Sequence, residues 1–197
     1  IIIASINNDT KEVKLVSVYR DTLLNTEDDT YDKANSAYAV GGAEAAVNML
    51  NRNLDLDIQD YVSVNFLAVA DVVDLLGGID LDLTDEEVVH MNNYCVETSE
   101  ITGKKYKKIE PEVAGTYHLN GVQAVSYSRI RYTEGGDFQR TSRQRLVIEK
   151  IAEEAKKADL STINKIIDAV FPEITTSFTS GEIVKMSTSL LQYSIGD

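Results

Sequence analysis

Two β-branched runs predict a hairpin at the start of the chain. Residues 1–6 and 13–18 are rich in Ile and Val, which suit the pleated surface of a strand. The polar residues 7–10 between them predict the turn. The second strand leads directly into the charged residues Arg20 and Asp21.

Further along, apolar positions alternate between helical and strand spacing. The expected elements are a polar loop over residues 27–32, strands over 61–66 and 79–83, and helices over 43–50 and 67–76. Gly77 and Gly78 end the second helix. Asp80 and Asp82 alternate with apolar residues on the strand predicted over 79–83. This spacing predicts that both carboxylates lie on a solvent-exposed face of the strand and are not metal ligands.

The second half of the chain carries helix-start signals followed by helical spacing. Thr84 and Glu87, three residues apart, predict a capping box. The expected helices cover residues 84–96, a short helix that starts at 119–124 and leads to Arg129, a long stretch from 135–158, and amphipathic stretches at 162–171 and 180–193. Interleaved strands and helices predict an α/β protein. We expect a single-domain sandwich over residues 1–197, with a central mixed sheet covered by helices.

Composition supports one substantial core and disfavours several classes of protein. The 197 residues are 43% hydrophobic, enough to bury one core. A net charge of -13 disfavours nucleic-acid binding, which needs a broad basic face. The lone Cys95 allows no intrachain disulfide. His90 and His118 are too few and badly spaced for a His-rich metal site, and no Gly-x-Ser-x-Gly or His-Glu-x-x-His motif is present.

The arginines are concentrated in one place. Five of the seven lie between Arg129 and Arg145, whereas the twelve lysines lie elsewhere. A guanidinium fork matches two oxygens of a phosphate or carboxylate, whereas an ammonium acts as a point charge. This segregation predicts a site for a multiply charged anion.

Spacing within this cluster predicts a pyrophosphate clamp. If residues 129–131 are extended, Arg129 and Arg131 project to one face and Ile130 turns into the core. Arg140 falls in the first turn of the following helix, where free backbone N–H groups favour an anion. Arg140, Arg143 and Gln144 share one helical face.

A simpler interpretation is that these arginines pair with some of the 32 acidic residues. For any single arginine, a surface salt bridge is the more frequent outcome. For the cluster as a whole we favour the anion site, because Gly135 and Gly136 place a close-approach loop in its middle.

A second group of polar residues follows the hairpin. Asp21 could bind a hard cation or accept a proton, or it could simply cap the following turn, and the functional and the capping interpretation are about equal. Lys33 and Asn35 offer a cation and an amide ahead of Gly41 and Gly42, which do not form a Walker loop.

The order of these motifs resembles the LytR-CpsA-Psr family. The matching stretches are residues 17–22, 33–38, 41–42, 73–79, 119–124, 127–131 and 136–144. Each motif is ordinary alone, but their order is specific, and the matches run from the first strand to about Ile148.

The resemblance implies an enzyme anchored in the cell membrane of mostly Gram-positive bacteria, with its domain on the extracellular face. Such enzymes move a glycopolymer, such as teichoic acid or capsular polysaccharide, from a polyprenyl-pyrophosphate carrier to a peptidoglycan hydroxyl. Two alternatives stay open. One is hydrolysis of the lipid pyrophosphate, and the other is a non-catalytic polyprenyl-phosphate-binding module with a regulatory role, since family members have been described as transcriptional attenuators.

The resemblance also implies roles for individual residues. The catalytic residues would be Arg20, Asp21, Arg129, Arg131 and Arg140, and the substrate-binding residues would be Lys33, Asn35, Arg143 and Gln144.

The resemblance implies a metal as well: a magnesium ion would bridge the two phosphates. The family's metal-binding aspartates would precede Ile1, so we expect a domain truncated at its N-terminal edge. Whether the chain is active as it stands stays open. Gln139 replaces the family's usual glycine and is expected to stiffen the loop.

Overall fold

The computed structural model describes residues 1–189 and 192–196. The strands are β1 (Ile2–Asn7), β2 (Glu12–Ser17), β3 (Leu23–Glu27), β4 (Thr30–Lys33), β5 (Val62–Val64), β6 (Ile79–Leu83), β7 (Gly115–Leu119), β8 (Ile174–Thr176) and β9 (Ser194–Gly196). The helices are α1 (Ser36–Leu54), α2 (Phe66–Leu76), α3 (Asp85–Thr102), α4 (Gly121–Arg129), α5 (Gly136–Lys157), α6 (Leu160–Val170) and α7 (Ser180–Ser189), with a 3₁₀ turn at Phe171–Glu173.

The α/β class and the mixed sheet are confirmed. β1 and β2 pair antiparallel, while β2 and β9 pair parallel, so the three-stranded sheet β1-β2-β9 is mixed. The other described strands pair two by two, as β3-β4, β5-β8 and β6-β7. The chain divides into two compact units. One comprises residues 1–63 and 175–179 with the C-terminal strand, and the other comprises residues 64–174 with α7.

The first unit begins with the predicted hairpin. β1 pairs with β2 from Ile2 opposite Ser17 to Asn7 opposite Glu12. The Asn7 side-chain oxygen accepts hydrogen bonds from the backbone N–H groups of Asp9 and Thr10, which fixes the turn. The predicted hairpin is therefore confirmed.

A second hairpin replaces the polar loop predicted over residues 27–32. β3 and β4 pair antiparallel across Asp28 and Asp29, whose φ angles are 46° and 59°. Aspartate tolerates this left-handed conformation better than most residues, and two such residues in succession suit a tight hairpin turn. The loop prediction was wrong because acidic composition concealed a turn signal.

Helix α1 is longer than the predicted stretch 43–50. It covers Ser36–Leu54 but is broken at Gly42, where φ is 70° and ψ is -158°. Met49 and Leu50, from its second part, pack with Leu24 into the small core of the first unit. The glycine thus lies within the helix rather than ahead of it.

The second unit is organised around α4. Asn120 and Gln123 form a capping box at its N-terminus, as Thr84 and Glu87 do for α3. Seven consecutive residues of α4, Gly121 to Tyr127, are buried. The helix therefore forms the centre of a core that also contains Cys95, where burial raises the thiol pKa to about 11.

Strand β7 was not predicted, because its sequence begins with glycine and carries polar residues. It pairs antiparallel with β6 over five residues. Asp80 and Asp82 are exposed, as predicted, and they contact side chains of β7. Asp82 Oδ1 accepts a hydrogen bond from the Thr116 hydroxyl at 2.5 Å, and Asp80 Oδ1 lies 2.6 Å from His118 Nδ1.

The ends of the chain's later helices also need adjustment. α3 extends to Thr102, beyond the predicted end near Val96. α6 begins at Leu160, two residues early. The last helix covers Ser180–Ser189, Tyr193 is not helical, and the predicted continuation through residues 190–191 lies outside the described residues. No helix in the described ranges has both the length and the apolar character needed to cross a bilayer.

The close approach of α4 to α2 generates a stability prediction. A Cβ added at Gly121 would overlap the backbone of Ala70. We expect Gly121→Ala to lower the free energy of unfolding by about 1–3 kcal/mol, because overpacking forces backbone shifts. Urea denaturation measures this change. Gly181→Ala is the matched control: its added methyl meets open space, so equal losses in the two variants would contradict the prediction.

The contacts of His118 generate a prediction about pH. Its Nδ1 faces Asp80, and its Nε2 lies 2.7 Å from the Gly77 carbonyl oxygen, so both nitrogens face acceptors. The hydrogen bond to Asp80 raises the His118 pKa, so the charged ring is favoured by folding. This stabilisation is complete below the unfolded pKa of about 6.5 and is lost as pH rises through the higher folded value.

We therefore expect His118→Gln to destabilise the protein more at about pH 5.5 than at about pH 8.5. The effect is small because the side chain is largely exposed. Urea unfolding of both proteins at both pH values provides the comparison. A difference that grows with rising pH would contradict the assignment.

Candidate functional site

The predicted site residues of the first unit cluster around one ion pair. Lys33 Nζ, at the end of β4, lies 2.7 Å from Asp21 Oδ1 in the turn after β2. The Ala34 N–H donates to the Thr22 carbonyl, which ties this turn to the end of β4. The structure therefore brings Asp21 and Lys33 together. Both side chains are more than half exposed, so solvent and ligands can reach the pair.

Arg20 and Asn35 lie on either side of this pair in the sequence. Arg20 is exposed in the turn before Asp21. Asn35 is the N-cap residue of α1, but its side chain makes no capping hydrogen bond. Its buried Oδ1 has no hydrogen-bond partner among the described residues. An acceptor in this state can take a donor from a ligand.

Arg129, in the second unit, is held by aromatic rings and two acceptors. Its Nη1 donates to Thr98 Oγ1 at 2.9 Å, and its Nη2 donates to Glu97 Oε2 at 2.7 Å. The guanidinium also lies 4.7 Å from the Phe66 ring centroid and 5.2 Å from that of Tyr94. These contacts orient the head of Arg129 and leave its side chain 17% exposed.

The extended geometry predicted for residues 129–131 was wrong at its first residue. Arg129 is the last residue of α4, and the helix ends at Ile130, whose φ and ψ are -56° and 126°. Ile130 is fully buried, as predicted. The sequence pattern missed that the capped helix continues through Arg129 before the chain becomes extended at Ile130. Arg129 and Arg131 therefore project from a helix end and a coil.

Arg131 differs from the other clustered arginines in its surroundings. It is exposed and makes no hydrogen bond or ion pair with the residues that the structure describes. Its five donors are available to a ligand. Of the predicted arginines in the second unit, it is therefore the best placed for direct contact with an anion.

Arg140 lies at the start of α5, where two glycines shape the approach. Gly135 and Gly136 have φ angles of 90° and 48°, a conformation that favours glycine. The helix begins at Gly136, so Arg140 is its fifth residue rather than part of its first turn. The side chain is 9% exposed, and its Nη1 lies 3.2 Å from Asp137 Oδ1.

Arg143 points into the protein, where three of its nitrogens face acceptors. Nε donates to Glu87 Oε1 at 2.8 Å, Nη2 donates to Thr133 Oγ1 at 2.8 Å, and Nη1 donates to the Ile130 carbonyl at 3.4 Å. The guanidinium lies 5.8 Å from the ring of Tyr127, whose pKa burial raises to about 12. Direct substrate binding by Arg143 stays a prediction, and the side chain is only 6% exposed.

The helical face shared by Arg140, Arg143 and Gln144 is turned partly inward. Both arginines are buried and Gln144 is half-buried, while Val147 on the same helix belongs to the core. The salt-bridge interpretation therefore applies to Arg129, Arg140 and Arg143, each of which has an acidic partner.

The described residues contain no cluster of acidic, His and Cys side chains of the kind that holds a metal by itself. Residues 1–189 and 192–196 contain no group of three or more His, Cys, Asp or Glu side chains that could hold a metal. Asp21, the candidate hard-cation ligand, contacts the Lys33 ammonium instead. Magnesium is often held by one or two carboxylates together with substrate phosphates, so its binding stays a prediction of the resemblance.

Several partners of the arginines could not be found by sequence analysis. Glu87 showed only its capping role, because Arg143 lies 56 residues away. Thr98, Glu97 and Phe66 carry no motif that marks them as neighbours of Arg129. These contacts form only once α2, α3, α4 and α5 pack together, which no local pattern in the sequence shows.

Comparisons with known proteins agree with the arrangement of the motifs. Biofilm regulatory protein A of Streptococcus mutans is 35% identical over 185 residues, covering 89% of this chain and 43% of that protein. The polyisoprenyl-teichoic acid–peptidoglycan teichoic acid transferase TagU of Enterococcus faecalis is 32% identical over 189 residues, covering 94% and 56%. The chain thus spans about half the length of these curated relatives.

A solved structure from Enterococcus faecalis, described as a transcriptional regulator, shares the fold. It superposes with a TM-score of 0.76 at 28% identity, covering 97% of this chain and 66% of that one. The model of the LytR_cpsA_psr family matches residues 1–195. Since this match spans almost the whole sequence and includes every motif described above, the chain belongs to the LytR_cpsA_psr family.

Proposed function

We propose that this chain is the phosphotransferase domain of an enzyme that moves a glycopolymer from a polyprenyl-pyrophosphate carrier to a peptidoglycan hydroxyl. The observation that carries the proposal is the exposed guanidinium of Arg131, which has no partner among the described residues and follows the anchored Arg129 and Ile130. Family membership and the teichoic acid transferase among the relatives support it.

The chemistry requires charge stabilisation rather than a covalent nucleophile. The acceptor hydroxyl oxygen forms a bond to the sugar-linked phosphorus. The bond from that phosphorus to the bridging oxygen breaks, and polyprenyl phosphate leaves with the electron pair. A base takes the hydroxyl proton. Guanidinium groups aimed at the phosphate oxygens stabilise the charge that develops in the transition state.

The arginines of the second unit contribute to this charge stabilisation in different ways, depending on how exposed each side chain is. Arg131 offers its donors to the phosphate oxygens directly. Arg129 has a fixed head, with two nitrogens on Thr98 and Glu97, and adds positive potential beside Arg131. Arg140 adds a third guanidinium five residues into the next helix. The roles of Arg20, Asp21, Lys33, Asn35 and Gln144 stay predictions of the resemblance.

The cellular setting is part of the proposal. An acceptor in peptidoglycan places the domain at the extracellular face of a Gram-positive cell membrane, with an anchor outside the described residues. Teichoic acid and capsular polysaccharide are both candidate glycopolymers. Magnesium stays a prediction of the resemblance, and the roles given above to arginines do not depend on it.

Two other functions give different products. A lipid-pyrophosphate hydrolase would use water and release the glycopolymer phosphate without an acceptor. A non-catalytic lipid-binding module would bind the carrier and release no product. One relative is named a biofilm regulatory protein, and one solved structure is described as a transcriptional regulator, and these names are the reason to test the non-catalytic module. Product analysis with and without peptidoglycan separates all three.

Arg131→Ala tests the proposal most directly. We expect the turnover of polyprenyl-pyrophosphate-linked glycopolymer onto peptidoglycan to fall by roughly 100-fold or more, as for removal of one transition-state donor. The fold should be unchanged, because the side chain is exposed and has no polar partner among the described residues. Transfer is measured as polymer attached to peptidoglycan, and folding by circular dichroism and urea denaturation.

Arg145→Ala is the matched control, because it removes a guanidinium from the same stretch, one that donates to Ser142 and lies outside the predicted site residues. Its turnover should stay close to that of the unsubstituted protein. Unchanged transfer in Arg131→Ala would refute the clamp. Equal losses in both variants would mean that the overall positive potential matters, rather than the position of Arg131.

A further inference from the structure

Arg143 is buried where it cannot reach a ligand without breaking contacts that hold the protein together. Its side chain is 6% exposed, and Glu87, its charged partner, is 13% exposed. Each of three nitrogens, Nε, Nη1 and Nη2, already faces an acceptor. Moving this guanidinium to a phosphate would leave the mostly buried Glu87 carboxylate without its charge partner, which is unfavourable.

Two of these acceptors lie on the segment that joins α4 to α5. Nη1 reaches the carbonyl of Ile130, and Nη2 reaches the hydroxyl of Thr133. Arg131 lies between these two points in the sequence. The exposed arginine therefore belongs to a short loop that Arg143 holds on both sides.

Glu87 provides the fixed end of this arrangement. Its Oε2 accepts from the Thr84 N–H at 3.0 Å and from the Thr84 hydroxyl at 3.3 Å, which closes the capping box of α3. Its Oε1 accepts from Arg143 Nε. Because the capping box fixes one oxygen, the other is held in place for the guanidinium.

We propose that Arg143 and Glu87 form a positioning pair that sets the conformation of residues 130–133 and thereby aims Arg131 at the phosphate. Arg143 is on this view a positioning residue and not a substrate contact. The effect on transfer rests on the function proposed above, whereas the effect on the loop does not.

Lysine can replace the charge of Arg143 but not its geometry. The guanidinium places donors in a planar fork, so one side chain reaches Glu87, Ile130 and Thr133 at once. A single ammonium on a flexible stem cannot span these acceptors. Arg143→Lys therefore keeps the ion pair with Glu87 and releases the loop, whereas Arg143→Ala would leave a mostly buried carboxylate without its charge partner and endanger folding.

Hydrogen exchange of the loop tests the positioning role without reference to activity. In Arg143→Lys we expect the backbone amides of residues 131–135 to exchange at least about 10-fold faster, while protection in α3 and α4 stays within about 2-fold of the original protein. Glu87→Gln keeps the cap through its amide oxygen and should cause the same local change. Arg145→Lys is the control and should change neither region.

Unchanged exchange at residues 131–135 in Arg143→Lys would overturn the proposal. A uniform increase across α3, α4 and the loop would also overturn it, because it would mean that the pair supports the whole unit rather than the loop. Combining Arg143→Lys with Glu87→Gln should add little to either single change, since both release the same contact.

A double-mutant cycle links the loop to the ligand. The probe is a short-chain polyprenyl pyrophosphate, with its dissociation constant measured by calorimetry. We expect Arg143→Lys to raise this constant about 10-fold in the original protein but less than about 2-fold in Arg131→Ala, because its effect acts through Arg131. Additive losses would mean that Arg143 contacts the ligand itself and would overturn the positioning role.

The two proposals fail separately. If the unsubstituted protein does not bind the probe, the proposed function fails, while the exchange measurement still decides whether Arg143 positions the loop. If the probe binds and loop exchange is unchanged in Arg143→Lys, only the positioning role fails.

Discussion

A guanidinium that is withdrawn from solvent needs hydrogen-bond acceptors for its donors, and this need determines how the helices of the second unit contact one another. Arg129 and Arg143 find their acceptors at opposite ends of α3. Arg129 donates to Thr98 and Glu97 near the C-terminus of this helix, and Arg143 donates to Glu87 near its N-terminus. The same two arginines contact aromatic rings of the unit. The segment from α4 into α5 is thereby held against α3 by charge as well as by apolar packing.

This requirement changes the meaning of the arginine cluster. The sequence indicates five clustered cations and an acidic chain, from which a shared anion site follows. The structure assigns different environments to them. Arg143 is enclosed, Arg129 and Arg140 each have an acidic neighbour, and Arg131 faces solvent. A cationic site can thus be made from one accessible guanidinium supported by others that lie partly or wholly buried, and the proposed glycopolymer transfer depends on such charge being held in a fixed place.

Local signals predicted much of the fold, and long-range contacts account for what they missed. The hairpin turn at Asn7, the capping box at Thr84 and the helix end at Gly77 depend on neighbouring residues, so they were predictable. The strands around Asp28 were missed because their acidic composition resembles a loop. At the site, the residue types and their order indicated the arginines, but no local pattern could reveal that Glu87 holds Arg143 or that Ile130 ends the helix after Arg129.

The burial of Cys95 has a practical consequence. A thiol reacts as the thiolate, and this one is enclosed in the core with its pKa raised to about 11, so alkylating reagents meet an unreactive group while the second unit is closed. It is also the only cysteine in the chain. The rate at which such a reagent labels the protein therefore reports how often this core opens, and the protein carries its own single-site probe of that motion.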